Sequence, residues 1–200
     1  MSRVLYIKAN SKPEGQSRTF KISDSFIEEY KKNNPNDEII TLDLYKEGIR
    51  FLSEEDMKLH RPAPGEGKRH PVLKYAYQFA EADKYIVAAP MWKLNIPAIL
   101  KAYIDYVCVT GITFKYTANG PVGLCEGKKA VHIVSRGGAY SEGPAADFEM
   151  GDRYLRTIFG FFGITDFTTI AADKLDVIGE DVESIIENAI KEAQGTAKSF

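Results

Sequence analysis

Three short stretches of this 200-residue chain combine residue types that can hold a ligand through exposed backbone and small polar side chains. The first runs from Asn10 to Thr19 and contains Asn10, Ser11, Gly15, Gln16, Ser17 and Thr19. If a helix starts there, its free N–H groups and dipole favour a phosphate dianion. Ser17 and Thr19 would add hydroxyl donors, and Arg18 a charge-assisted one. An ordinary helix start capped by Ser17 is the plain alternative, because Ser is a common N-cap.

The second stretch is Ala88-Ala89-Pro90-Met91-Trp92-Lys93-Leu94-Asn95-Ile96-Pro97. Pro97 suits an early helical position, where its missing N–H costs little. Met91, Trp92 and Leu94 are costly to leave bare unless something flat and apolar covers them. An isoalloxazine ring fits, with Asn95 addressing its polar edge; packing of Trp92 on a neighbouring helix or subunit is the alternative. The third stretch, Val134-Ser135-Arg136-Gly137-Gly138-Ala139-Tyr140, follows an apolar run. Its two glycines let backbone approach a ligand closely. Their N–H groups could receive the O2 edge of a flavin pyrimidine, where negative charge grows on reduction. A tight turn at positive φ would explain the same pair.

Other reactive residues have plainer explanations. His60 and His70 lie in a polar segment and His132 inside an apolar run, so structural or solvated roles are expected. Cys108 ends an apolar helix and reads as core, while Cys125 falls in a loop. Glu54-Glu55-Asp56 and Glu180-Asp181 read as helix-start charges rather than metal ligands.

The elements that position these stretches alternate regularly. Short β-rich runs occur at Val4–Ile7, Glu38–Leu42, Tyr85–Ala89, Ala130–Val134 and Phe167–Ile170. Helical spacing appears at Phe20/Ile27/Tyr30, Ile96 to Val107, Tyr154 to Phe162 and Val182 to Ala193. Strand–helix alternation predicts a doubly wound parallel α/β sheet with helices on both faces. Five strands in a chain this short fit the flavodoxin-like order 2-1-3-4-5, and no Gly-x-Gly-x-x-Gly or phosphate loop ending in Gly-Lys-Ser/Thr is present. Ligands of such sheets bind at the carboxyl ends of strands where the order reverses, here between strands one and three. The three stretches all fall on loops at that end. Residues 48–72 interrupt the alternation as a polar excursion with a short helix over Ser53–Leu59, and residues 111–127 as an inserted hairpin.

Composition narrows the class. The chain is 44% hydrophobic and 27% charged with a net charge of -2, which suits one domain over 1–200 and argues against nucleic-acid or membrane-surface coating. No apolar run approaches the ~20 residues of a membrane span and no signal peptide is evident, so a cytoplasmic location is expected.

With these residues in view, the chain resembles the FMN-dependent NADH-azoreductases, a flavodoxin-like branch close to the NAD(P)H:quinone reductases. The likeness runs from Val4 to about Ala193. It is carried by Ala89–Pro97, Thr113–Thr117 with Asn119-Gly120-Pro121, Ser135–Gly138, and Gly160-Phe161-Phe162-Gly163-Ile164-Thr165. The resemblance implies a homodimer with non-covalent FMN at two sites near the subunit interface. It implies phosphate contacts from Asn10, Ser17, Arg18 and Thr19, and a ring resting on Met91, Trp92, Lys93 and Leu94 with Asn95 nearby. Ser135, Arg136, Gly137 and Gly138 would meet the pyrimidine edge; Tyr116 and Phe161 would line the substrate side, Phe161 from either subunit. The chain departs from the family at Asn10, where Ser is frequent, at Ser17-Arg18-Thr19 in place of Ser-x-Ser, and at Lys93, where Asn is common. A cation at Lys93 would raise the flavin potential, attract anionic substrates, or point to solvent.

The implied chemistry is hydride transfer from NADH or NADPH to flavin N5, then to a quinone or azo compound at the same face, giving ping-pong kinetics. The alternative is a flavodoxin-like FMN electron carrier without small-molecule turnover, and a further one is a scaffold that takes up no flavin.

Overall fold

The computed structural model describes residues 1–13 and 15–200. Five strands form a parallel sheet: β1 (Arg3–Lys8), β2 (Glu38–Asp43), β3 (Lys84–Ala88), β6 (Lys129–Ser135) and β7 (Asp166–Ala172). Their spatial order is β2-β1-β3-β6-β7, which is 2-1-3-4-5 counted over the parallel strands alone. Register runs in step through the middle of the sheet, with Tyr6 opposite both Thr41 and Ile86, and Val87 opposite His132.

The near-continuous apolar character of the central strands has a direct cause: both faces are covered. From β1, Leu5 and Ile7 enter the core beneath α3 (Lys74–Glu81), α4 (Ala98–Val107) and α5 (Gly151–Phe161). Val4 and Tyr6 enter the opposite core, beneath α1 (Arg18–Asn33) and α6 (Val182–Ala197). Side-chain alternation along a strand sends neighbours to opposite faces, so each central strand feeds both cores.

The excursion after β2 contains α2 (Glu54–Lys58), opened by a capping box in which Ser53 and Asp56 satisfy each other's backbone N–H groups. Helix α3 follows in a segment for which no helix is expected from residue spacing. Its Tyr75, Ala76 and Phe79 are buried. The Phe79 ring stacks on Tyr85 at 4.2 Å and meets Phe159 and Phe162 edge-on at 5.5 Å. The expected hairpin is present as β4 (Phe114–Thr117) paired antiparallel with β5 (Gly120–Gly123). Helix α4 opens at Ala98 with Pro97 as its N-cap, one position earlier than an in-helix proline; the Pro97 carbonyl accepts from Leu100 and Lys101.

Candidate active site

Strands β2 and β3 lie on opposite sides of β1, so the chain leaves β1 and β3 toward different helix layers and opens a crevice between them. The β1–α1 turn forms one wall. Asn10 Nδ2 donates to Ser17 Oγ at 2.8 Å, and that oxygen also accepts the Phe20 N–H at 3.1 Å. Ser17 is therefore the N-cap, and as acceptor of both bonds it keeps its own hydroxyl proton for a further partner. Among the described residues, the Arg18 and Thr19 N–H groups have no protein acceptor, as expected for the first turn of a helix. The Thr19 side chain differs from expectation: it is fully buried and shares a 2.6 Å bond with Ser135 Oγ, so this position offers a ligand backbone rather than hydroxyl. Arg18 Nη1 is committed to the Leu175 carbonyl at 3.0 Å and to Asp176 at 2.8 Å.

The β3–α4 turn forms the second wall. Trp92 and Asn95 exchange main-chain bonds of 2.8 and 3.1 Å around a two-residue tip. The tip residues Lys93 and Leu94 take φ of 52° and 68°, a left-handed pair normally given to Asn-Gly. The Met150 N–H holds the Leu94 carbonyl at 3.0 Å, and Met91 N–H reaches Ser135 O at 3.0 Å. Asn95 Oδ1 accepts the Ile96 N–H at 2.8 Å, leaving its amide nitrogen available. Met91 and Trp92 are half-buried, while Lys93, Leu94 and Asn95 are exposed.

The third wall is Ser135–Gly138. Neither Gly137 nor Gly138 has a positive φ, so a left-handed turn is not why glycine stands there. A Cβ on Gly137 would come within 2.7 Å of the Asp176 carboxylate, and one on Gly138 within 2.9 Å of the Tyr140 ring. Glycine here gives room to the Asp176 carboxylate and the Tyr140 ring rather than an unusual backbone angle. Arg136 is buried, with its guanidinium between Glu149 (3.4 Å), Asp173 (3.3 Å) and Ser141 (3.1 Å).

Together these walls enclose a cavity of about 360 Å3 lined by Asn10, Gln16, Arg18, Met91, Trp92, Ser135, Arg136 and Gly137. Lys12, Pro90, Leu175 and Asp176 also line it. The last two come from the loop after β7, which the sequence did not point to. Nothing in the types Leu and Asp signals a site, and Asp176 lies 158 residues from the Arg18 that binds it. On the other side of Trp92 a second, mainly apolar cavity of about 480 Å3 includes Lys93, Asn95, Ile96 and Tyr154, whose phenol burial pushes up to about 12. Tyr116 and Phe161 line neither cavity. They flank Phe114 at ring distances of 5.4 and 4.7 Å, with Tyr116 66% exposed on the hairpin.

The remaining reactive residues are placed as structure. His132, on β6, is buried with Nδ1 2.8 Å from Asp152, a partner 20 residues away that its own neighbours in sequence do not signal. His60 is also buried, which lowers its pKa. Cys108 caps α4 and Cys125 is fully buried; burial raises both thiols. Asp181 caps α6 through the Ser184 N–H at 3.1 Å.

A five-stranded sheet in this order, with loops from β1, β3 and β6 meeting at the switch point, defines a flavodoxin-like protein. Residues 2–196 match the family model described as the flavodoxin-like fold. Over its full length and theirs, the chain is 77% identical to "FMN-dependent NADH:quinone oxidoreductase 2" of Clostridium acetobutylicum and 69% identical to "FMN-dependent NADH:quinone oxidoreductase" of Clostridium perfringens. Among solved structures, an azoreductase from Bacillus anthracis superposes with TM-score 0.89 at 40% identity, all of both chains covered. An FMN-dependent NADH-azoreductase from the same species, solved in complex with FMN, gives 0.88 at 28% identity, covering all of this chain and 99% of that one. The chain belongs to the FMN-dependent NADH:quinone oxidoreductase and azoreductase family.

Proposed function

We propose that residues 1–200 act as one FMN-binding unit, homodimeric and cytoplasmic, that reduces quinones and azo compounds with NADH, or with NADPH, as donor. The observation that carries this proposal is the convergence of three loops with unspent donors on one cavity bordered by Met91 and Trp92. The residues suit FMN. Ser17 keeps a free hydroxyl proton beside two free N–H groups at the start of α1, a set of donors matched to a phosphate. Met91 and Trp92 are large apolar side chains that border the cavity, and a volume of about 360 Å3 falls in the ~300–1,000 Å3 range of small-molecule sites.

When bound, FMN would supply the hydride and two-electron redox chemistry that links the nicotinamide donor to the acceptor. The chain's own residues bind, orient and bias. Asn10 fixes Ser17, Ser17 and the Arg18 and Thr19 backbone take the phosphate, and the free portion of the Arg18 guanidinium adds charge. Lys93 and Leu94 hold the turn that presents Met91 and Trp92 to the ring, while Asn95 borders the second cavity on the far side of Trp92. The Gly137 N–H group, on the cavity wall, would favour the charge that reduction places on the pyrimidine, with Gly138 next to it in the same loop. Tyr116 and Phe161 lie outside the single-chain crevice, and a second subunit supplies their contact with the substrate face.

Colour tests the assignment. The purified protein is expected to be yellow, to bleach with NADH in the absence of oxygen, and to recolour when a quinone is added. A yellow protein inert to NADH would make it a carrier, and one unable to take up FMN would contradict the assignment outright.

A further inference from the structure

We infer that the loop after β7, Asp173–Asp176, is a positioning strap that orients the glycine loop and so aims the Gly137 N–H group, on the cavity wall, at the cofactor. The inference rests on the FMN assignment and extends it to residues outside the three walls. Three successive main-chain donors of the strap capture three successive carbonyls of the glycine loop. Leu175 N–H reaches Arg136 O at 3.1 Å, Asp176 N–H reaches Gly137 O at 3.0 Å, and Lys174 N–H reaches Gly138 O at 2.9 Å. In a planar trans peptide the C=O and the following N–H point in opposite directions. Holding those carbonyls therefore turns the N–H groups of Gly137, Gly138 and Ala139 away from the strap. None of the three has a protein acceptor among the described residues.

Two ion pairs clasp the strap in place. One oxygen of Asp173 accepts the Tyr140 and Ser141 N–H groups at 2.9 and 2.6 Å, and the other pairs with Arg136, which is only 4% exposed. Asp176 pairs with Arg18 and lies so close to Gly137 that a Cβ there would stand 2.7 Å from its carboxylate. Lys174 takes a φ of 62°. Among the described residues only Lys93, Leu94 and Lys174 are non-glycine residues with positive φ, and all three sit in loops around the crevice. Strain of this kind persists where surrounding contacts over-determine it, and it gathers at functional sites. Asp173 is thus a positioning residue that acts through the glycine backbone, and Arg136, which also lines the cavity, holds it in place.

The test compares wild type with Asp173→Asn and Arg136→Lys as full-length proteins, using FMN itself as titrant and then measuring the two-electron potential of each holoprotein. Both variants are expected to bind FMN about tenfold more weakly, the loss from misaiming one or two charge-receiving hydrogen bonds. Both should also show a more negative potential, because the charge formed on reduction loses its donors; a purely structural role would leave the potential of bound flavin unchanged. Asp173→Glu is expected to recover part of both. Folded variants with wild-type affinity and potential would overturn the strap while leaving the FMN assignment intact. Wild type that binds no FMN would overturn both. If Asp173→Asn does not fold, Asp173→Glu, which keeps the charge but moves the carboxylate off the Tyr140 and Ser141 N–H groups, decides: affinity and potential below wild type support the strap, and wild-type values overturn it.

Discussion

Thr19 and Ser135, 116 residues apart, share a 2.6 Å hydroxyl–hydroxyl bond that ties the start of α1 to the end of β6. The β1–α1 wall and the Ser135–Gly138 wall of the crevice are thereby fixed to each other. This separates two hydroxyls that look equivalent in sequence. Ser17→Ala is expected to weaken FMN binding several-fold, since it removes the cap and the free proton together. Thr19→Val leaves a hydroxyl of Ser135 without its partner, and is expected to cost about 1–2 kcal/mol of stability. Urea unfolding should show a lower midpoint at unchanged slope for Thr19→Val.

The turn tip Lys93-Leu94 places two side-chain-bearing residues in the left-handed region, at a cost of roughly 1–2 kcal/mol each. Replacing the pair by Asn-Gly supplies residues that favour this backbone. Lys93→Asn with Leu94→Gly is expected to raise the apo-protein melting temperature by about 2–6 °C. FMN affinity should stay near wild type, because the backbone path is kept. A lower melting temperature would show that the Leu94 side chain contributes more than its strain costs.

Asp152 gives a pH dependence. Burial pushes its carboxyl up, but hydrogen bonds from His132, Thr169 and Arg156 outweigh that and hold it well below the ordinary 3.8. A carboxylate whose folded pKa is depressed contributes stability above its unfolded pKa and loses it as pH falls toward the folded value. Asp152→Asn should therefore be less stable than wild type near pH 7, by about 1–3 kcal/mol for buried hydrogen-bonding groups left poorly matched. The gap should close as pH falls from about 5 to about 2, and chemical denaturation at a series of pH values measures it.

How much of this was legible beforehand depended on whether the signal was local. The strand at Val4–Ile7 was visible because a run covered on both faces is apolar throughout, and Ser17 and Ser53 announced helix starts by type. Helix α3 was not visible: Tyr75, Ala76 and Phe79 follow the Pro-rich Arg61–Gly67 stretch, and their meaning comes from the Tyr85 and Phe159 rings they meet. Lys93, Leu94 and Lys174 could not be read as left-handed, since their types argue against it. The strap escaped for another reason. Arg136 and Asp173 pair across 37 residues and Arg18 and Asp176 across 158, distances at which spacing carries no information.

Kinetics checks the order of events. Because donor and acceptor would use one face of the ring in turn, initial-rate lines at several fixed quinone concentrations with varied NADH are expected to be parallel. Intersecting lines would require both substrates to be bound at once.

Trp92 is the sole tryptophan of the sequence and lines the crevice, so its emission reports directly on whether a flavin lies there. Titrating apo-protein with FMN is expected to quench that emission saturably, ending at one FMN per chain. FMN that binds without altering Trp92 emission, or fails to bind at all, would contradict the placement of the cofactor.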